Sequence, residues 1–179
     1  MDRIPVYIMR GLPGSGKSTF AKRLQLLLAD MGYNVIYLSR DEIRENLAKQ
    51  RNVPYNQTFN DSLNMLVTHR WRISLFNAFD EVNIPRKAII IDTKFISEED
   101  IIDIFDVHCR LKVNNEYSTY EEWLTAKQYR IRVVEFPEVL DNNHRSVPDK
   151  KIKDFRHEFI TNRDLILKYI SEKNFIYVK

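Results

Sequence analysis

Lys17 and Ser18 end the run Gly11-Leu12-Pro13-Gly14-Ser15-Gly16-Lys17-Ser18, and Thr19 follows. The spacing G-x-x-x-x-G-K-[ST] is that of a phosphate-binding loop. Glycines without a Cβ let the backbone turn its N–H groups inward around phosphate oxygens. A lysine at the seventh place reaches β- and γ-phosphates, and the next hydroxyl is a ligand for Mg²⁺. ATP, or another nucleoside triphosphate, is the expected cofactor, bound by Gly11 through Thr19. Acids follow at two places further along the chain. Asp41 and Glu42 lie near Arg44, and Asp92 is followed by Thr93 and Lys94. Asp92 ends an apolar run, so it is a Walker-B-like candidate for holding Mg²⁺, together with Ser18. Asp41 and Glu42 suit the first turn of a helix as ordinary dipole partners. Their place beyond the carboxyl end of a strand is also where ligands lie in open α/β sheets.

The elements needed to hold these groups can be read from periodicity. Pro5 to Met9 is a short β-prone run, and Ser18 to Met31 carries Phe20, Ala21, Leu24, Leu27 and Leu28 at helical spacing. The loop thus joins a strand to a helix whose positive end points at the anion. Gly32 ends that helix. Val35 to Leu38 is a second strand, and Ser39 caps a helix to about Lys49, with Glu42 as its capping-box partner. Arg51 to Asn60, with Pro54, reads as a loop. Asp61 to Phe79 is a long helix with Leu63, Leu66, Val67, Ile73, Phe76 and Phe79 expected on its apolar side. Ala88 to Ile91 is a third strand, after which Ser97 caps a helix from Ile101 to about Leu111. Lys112 to Thr119 has no pattern. A helix is expected from Tyr120 to Tyr129, a strand from Arg130 to Phe136, a polar connection from Pro137 to Pro148, helices from Pro148 and from Asp164, and a closing strand from Phe175 to Val178. Short, wholly apolar strands alternating with helices predict a three-layer α/β sandwich around a parallel sheet. A single domain over residues 1–179 is expected, with a lid at 137–148.

Composition narrows the class. The 179 residues are 44% hydrophobic, and 28 basic against 25 acidic residues give a net charge of +3. That balance permits a nucleic-acid partner without arguing for one. The one cysteine, Cys109, excludes an internal disulfide, and no run is long and apolar enough to cross a bilayer. No membrane partner and a cytoplasmic location are expected.

Four pieces, in order, resemble the kinase domain of the phage-type polynucleotide 5′-hydroxyl kinases: Gly11 to Thr19, Arg40-Asp41-x-x-Arg44, Ile91-Asp92-Thr93, and Asn143-His144-Arg145-Ser146-Val147-Pro148. They span nearly the whole chain. The resemblance implies an ATP-dependent kinase that phosphorylates the 5′-hydroxyl of DNA or RNA. Position by position, it implies that Asp41 is the general base, that Arg44 binds the acceptor's phosphate, and that Asp92 and Thr93 help place metal and acceptor. Where that family carries an Arg-Asn pair ahead of its Val-Pro, this chain has Asn142-Asn143. Arg145 is then the lid cation that would meet the transferring phosphate. The Asp-x-Asp-x-Thr motif of the bifunctional relatives' phosphatase does not occur in this sequence.

Two other readings stand beside this one. Kinases of nucleosides, nucleotides or other small alcohols carry similar elements, and a nucleotide-switched binding module would keep the loop alone. The Asp41/Arg44 pair weighs against the switch, because a sensor has no need of a base and an acceptor anion site. Arg51, Tyr55, Arg70 and Arg72 are expected near the acceptor and favour a polymer.

Overall fold

The structure, a computed structural model, describes residues 3–81, 83–97, 99, 100, 103, 104, 129–137 and 149–178. Five strands form one sheet: β1 (Ile4–Arg10), β2 (Asn34–Ser39), β3 (Lys87–Asp92), β4 (Tyr129–Glu135) and β5 (Phe175–Tyr177). Their order is β2-β3-β1-β4-β5, and every pairing is parallel. Helices among the described residues include α1 (Lys17–Asp30), α2 (Arg40–Arg51), α3 (Asp61–Asp80), α4 (Asp149–Thr161) and α5 (Arg163–Tyr169).

The central strands are apolar because both faces of the sheet are covered. Val6, Ile8, Ile89 and Ile91 pack on one face with Trp71, Leu75 and Phe79 of α3 and Ile166 of α5. Met9, Ala88 and Ile90 pack on the other with Ala21 and Leu28 of α1. Alternating residues of one strand therefore serve two cores, which is the three-layer sandwich expected.

Register positions the chemistry. Ser39 pairs with Asp92, and Asp92 pairs with Met9. The start of α2, the acid of β3 and the glycine loop thus stand side by side, about 4.8 Å apart from strand to strand.

Several expectations need correction. The loop at 51–60 is more ordered than its composition suggests. Asn52, at φ 53°, ends α2 in the left-handed region, and a 3₁₀ helix spans Tyr55–Phe59. Pro54 starts that turn by accepting from Gln57 N at 3.0 Å. The apolar stripe of α3 is Val67, Trp71, Leu75, Ala78 and Phe79. Ile73 falls on the opposite side of a 3.6-residue helix and is 46% exposed. Ser39 Oγ does accept from Glu42 N at 3.2 Å, but the Glu42 carboxylate pairs with Lys22 instead of returning to the cap. Tyr129 opens β4 and does not close a helix. Its phenol donates to the Phe79 carbonyl at 2.6 Å. The expected segments at 105–128 and 138–148 lie outside the described residues. Among the described residues, no helix is long and apolar enough to cross a membrane.

Candidate active site

Gly16 sits at φ 87°, a conformation that L side chains rarely adopt, and it opens α1 directly. Gly11 is needed for a different reason. A Cβ there would lie 2.8 Å from Ser15 Oγ and 3.0 Å from Phe136 Cβ. The start of α1 has no side-chain cap and no acid in its first turn. By contrast, α2 has Ser39 with Asp41 and Glu42, and α3 has Asn60 with Asp61. The free N–H groups and dipole of α1 are therefore left for an external anion.

Lys17 is buried at the base of this loop. Its Nζ donates to the Leu12 carbonyl at 2.6 Å and stands 3.5 Å from Ser15 Oγ. Burial lowers its pKa to about 8, although the charges of Asp92 and Asp41 pull it back up.

Asp92 is 4% exposed at the end of β3. Tyr37 Oη of β2 donates to its Oδ2 at 2.7 Å, and the Ser18 side chain also bonds to it. Burial still holds its pKa above the usual carboxylate range, against both bonds and the charge of Lys17. The Ser18 hydroxyl and Asp92 carboxylate are adjacent hard oxygens, a donor set that fits Mg²⁺. Among the described residues no group of three or more His, Cys, Asp or Glu is placed to hold a metal. A site there would be completed by phosphate oxygens and water, as is usual for Mg²⁺.

A cleft of about 820 Å³ runs from the loop along α2. Pro13, Gly14, Gly16, Lys17, Ser18 and Thr19 line one end, and Asp41, Arg44, Asp92 and Thr93 continue it. Gly11 and Leu12 are buried behind the loop and do not line the cleft, nor does Ser15. Asp41 is exposed in the first turn of α2 and accepts from Tyr55 Oη at 3.1 Å. One turn further on, Arg44 is 7% exposed, donates to the Thr58 carbonyl at 2.7 Å and lies 4.3 Å over the Phe59 ring. Burial lowers its pKa.

Arg40, four residues before Arg44, has different partners. It pairs with Asp100 at 3.2 Å and Asp103 at 3.7 Å and donates to Thr68 Oγ1 at 2.9 Å. Asp100 is 2% exposed and also holds Lys94 at 3.4 Å. Burial pushes the Asp100 pKa up, but Lys94, Arg40 and the N–H groups of Ser97 and Ile96 outweigh it and hold it low. Arg40 and Lys94 line the cleft as cations already paired with a carboxylate.

The fourth wall is α4, carrying Phe155 and Glu158 and leading to Asn162. Buried Arg10 at the end of β1 ties it down, donating to the Phe159 carbonyl at 2.6 Å and pairing with Glu135 at 2.9 Å.

The residues expected from sequence thus converge, except Arg145, which lies outside the described residues. Of the basic and aromatic residues expected to flank the acceptor, Tyr55 keeps company with Asp41, but Arg70 bonds to Gln50 and Arg72 to Asp103. Arg51, the last residue of α2, is exposed and does not line the cleft. Sequence reasoning missed Tyr37, Asn64, Thr68, Phe155, Glu158 and Asn162. Only Tyr37 left a signal, two residues before Ser39 and so on the same face of β2.

Comparison with known proteins places this geometry. The family described as an AAA domain matches residues 6–119. No curated protein matches the chain in sequence. Among solved structures, Chaetomium thermophilum Kti12 in complex with ADP-AlF3 is 14% identical, with a TM-score of 0.56 over 97% of this chain and 88% of that one. The protein APE1195 is 15% identical, with a TM-score of 0.54 over 100% and 87%. The Mycobacterium tuberculosis APS kinase CysC in complex with AMPPNP and APS is 16% identical, with a TM-score of 0.50 over 99% and 90%. These likenesses are of fold: a kinase-type P-loop α/β sandwich.

Proposed function

The chain belongs to this AAA domain family, and from that premise we propose that it is an ATP-dependent kinase of an alcohol beside a phosphate, with the 5′-hydroxyl end of a polynucleotide as acceptor. The observation that carries the reading is Arg44. Among the described residues, a buried guanidinium whose bonded partners are a carbonyl and a ring has no carboxylate within ion-pair distance. It lies one helical turn from a solvent-facing carboxylate in the same cleft. A buried cation without an anion is costly, and an acceptor phosphate would supply the missing charge.

In this reading the loop and Lys17 hold the β- and γ-phosphates. Mg²⁺, held by Ser18 and Asp92, would screen the charge on those oxygens when bound. Arg44 fixes the acceptor's phosphate so that the neighbouring hydroxyl faces Asp41, with Thr93 beside it. The acceptor oxygen forms a bond to the γ-phosphorus, and the bond from that phosphorus to the β,γ-bridging oxygen breaks. ADP leaves with the electron pair, and Asp41 takes the hydroxyl proton late in the transfer. Arg145 would meet the transferring phosphate from the 137–148 lid.

A second reading, a kinase of a nucleotide or similar small alcohol, is favoured by one observation. With Arg40 and Lys94 both paired with Asp100, and Arg70 and Arg72 turned to other partners, Arg44 is the buried cation of the cleft left for an acceptor anion. The deciding experiment offers γ-labelled ATP and Mg²⁺ with 5′-hydroxyl oligonucleotides, nucleosides and nucleoside monophosphates. Label on the oligonucleotides, weakening with salt, is the expected result. Label on a small alcohol alone would replace the first reading with the second.

A further inference from the structure

The 3₁₀ turn Tyr55–Phe59 touches both groups that the proposed reaction uses on its acceptor side. Tyr55 Oη donates to Asp41 Oδ1 at 3.1 Å. Three residues on, the Thr58 carbonyl accepts from Arg44 Nη1 at 2.7 Å, and the Phe59 ring lies 4.3 Å beneath the same guanidinium. The turn is braced from within. Thr58 is buried and its hydroxyl donates to the Tyr55 carbonyl at 2.5 Å, while the Tyr55 and Phe59 rings meet edge to face at 5.5 Å. Among the described residues no donor reaches Asp41 Oδ2.

An exposed aspartate at the start of a helix is free to turn about its side-chain bonds. Asp41 is fixed by its backbone only as far as Cβ, and one phenol sets the rest. Burial, and then the charge of Asp41, keep that phenol protonated, so it remains a donor.

We infer that Tyr55 is a positioning residue for the general base: its hydroxyl occupies one oxygen of Asp41 and so presents the other to the acceptor, while the turn it opens keeps Arg44 in step. The inference rests on the kinase reading above. Tyr55 touches no reacting atom. It acts through Asp41, whose other charged neighbours are Lys17, Arg44 and Asp92.

Tyr55→Phe tests this cleanly. It keeps the ring contact with Phe59, and the Arg44 bond goes to backbone, so the turn stays whole. With γ-labelled ATP and whichever acceptor of the panel takes label, kcat should fall about 10- to 100-fold, the order of one hydrogen bond to a charged group. The KM values for ATP and acceptor and the melting temperature should stay unchanged. In an Asp41→Asn background, where no base remains to be oriented, Tyr55→Phe should change kcat less than about twofold. Wild-type kcat in Tyr55→Phe, or an equal loss in both backgrounds, overturns the positioning role. If Asp41→Asn itself retains full activity, the base assignment fails and this inference fails with it. If Asp41→Asn is crippled and Tyr55→Phe is not, only the inference fails.

Discussion

Asp92 and Asp41 both stand beyond the carboxyl ends of parallel strands, yet they occupy opposite surroundings. Asp92 is the last residue of a strand buried along its whole length, held by Tyr37 and Ser18, with a proton affinity raised by burial. Asp41 is exposed at the start of a helix, with Tyr55 as its hydrogen-bond donor. A buried carboxylate facing a loop built for anions is stabilised by a cation, and in the proposed reaction it belongs on the donor side with the metal. An open carboxylate beside Arg44 can be reached by a hydroxyl. In the proposed reaction the difference separates two chemically identical groups into an electrostatic role and a proton-transfer role, and it sets a dry donor carboxylate against a wet acceptor one.

The hardest blow to the donor end is Lys17→Ala. Lys17 is the buried cation of the loop, and phosphoryl transfer is mostly positioning and charge stabilisation. Transfer should fall to background while the circular dichroism spectrum is kept. Wild-type turnover at saturating ATP would remove the loop from the mechanism.

The comparison between the acids sharpens with a pair of isosteric changes. Asp41→Asn should lower kcat by about 10²–10⁴-fold, the usual scale for a positioned base, with ATP affinity little changed. Asp92→Asn should instead weaken Mg²⁺ binding with the nucleotide, seen as a higher metal concentration needed for thermal stabilisation by ATP. If Asp92→Asn abolishes turnover at saturating metal while Asp41→Asn mainly raises the Mg²⁺ requirement, the roles are reversed.

The two ends also differ in how far they were legible from sequence. The donor end is written in backbone terms. Gly16 must accept φ 87°, and the strands are continuous apolar runs because both faces of the sheet are covered. Both leave signals in the order of residue types. The acceptor end is made of bonds between distant side chains. A five-residue 3₁₀ turn is too short to show a period, so Tyr55–Phe59 reads as loop. One bond of the donor end is hidden in the same way: Tyr37 meets Asp92 only because β2 lies beside β3, an order no local pattern states. Arg40 and Arg44 look alike in sequence, and it is the buried acids Asp100 and Asp103 that pair one of them and not the other. Ile73 shows a smaller failure of the same kind: counting apolar residues in α3 is not the same as placing them by angle.

The smallest expected effect tests whether the donor end is as dry as the contrast requires. Burial holds the Lys17 pKa near 8, below its ordinary 10.5, so above that pH the amine of the empty loop is mostly neutral. Its contribution to stability has a definite sign. The unfolded chain carries the proton up to the ordinary value, so the empty protein gains stability from this group as pH rises from about 8 toward 10.5. Bound triphosphate favours the charged amine and returns the proton. ATP binding at about pH 9 should therefore take up close to one proton, and at about pH 7 almost none, with affinity falling as pH rises through 8 by up to about tenfold per unit. Calorimetry in buffers of different ionisation heat measures the uptake, and Lys17→Met, which keeps the length without the charge, subtracts protonation of the nucleotide itself. Equal uptake in both proteins at pH 9 would mean that Asp92 and Asp41 keep Lys17 charged against burial, and the donor end would then be no drier than the acceptor end.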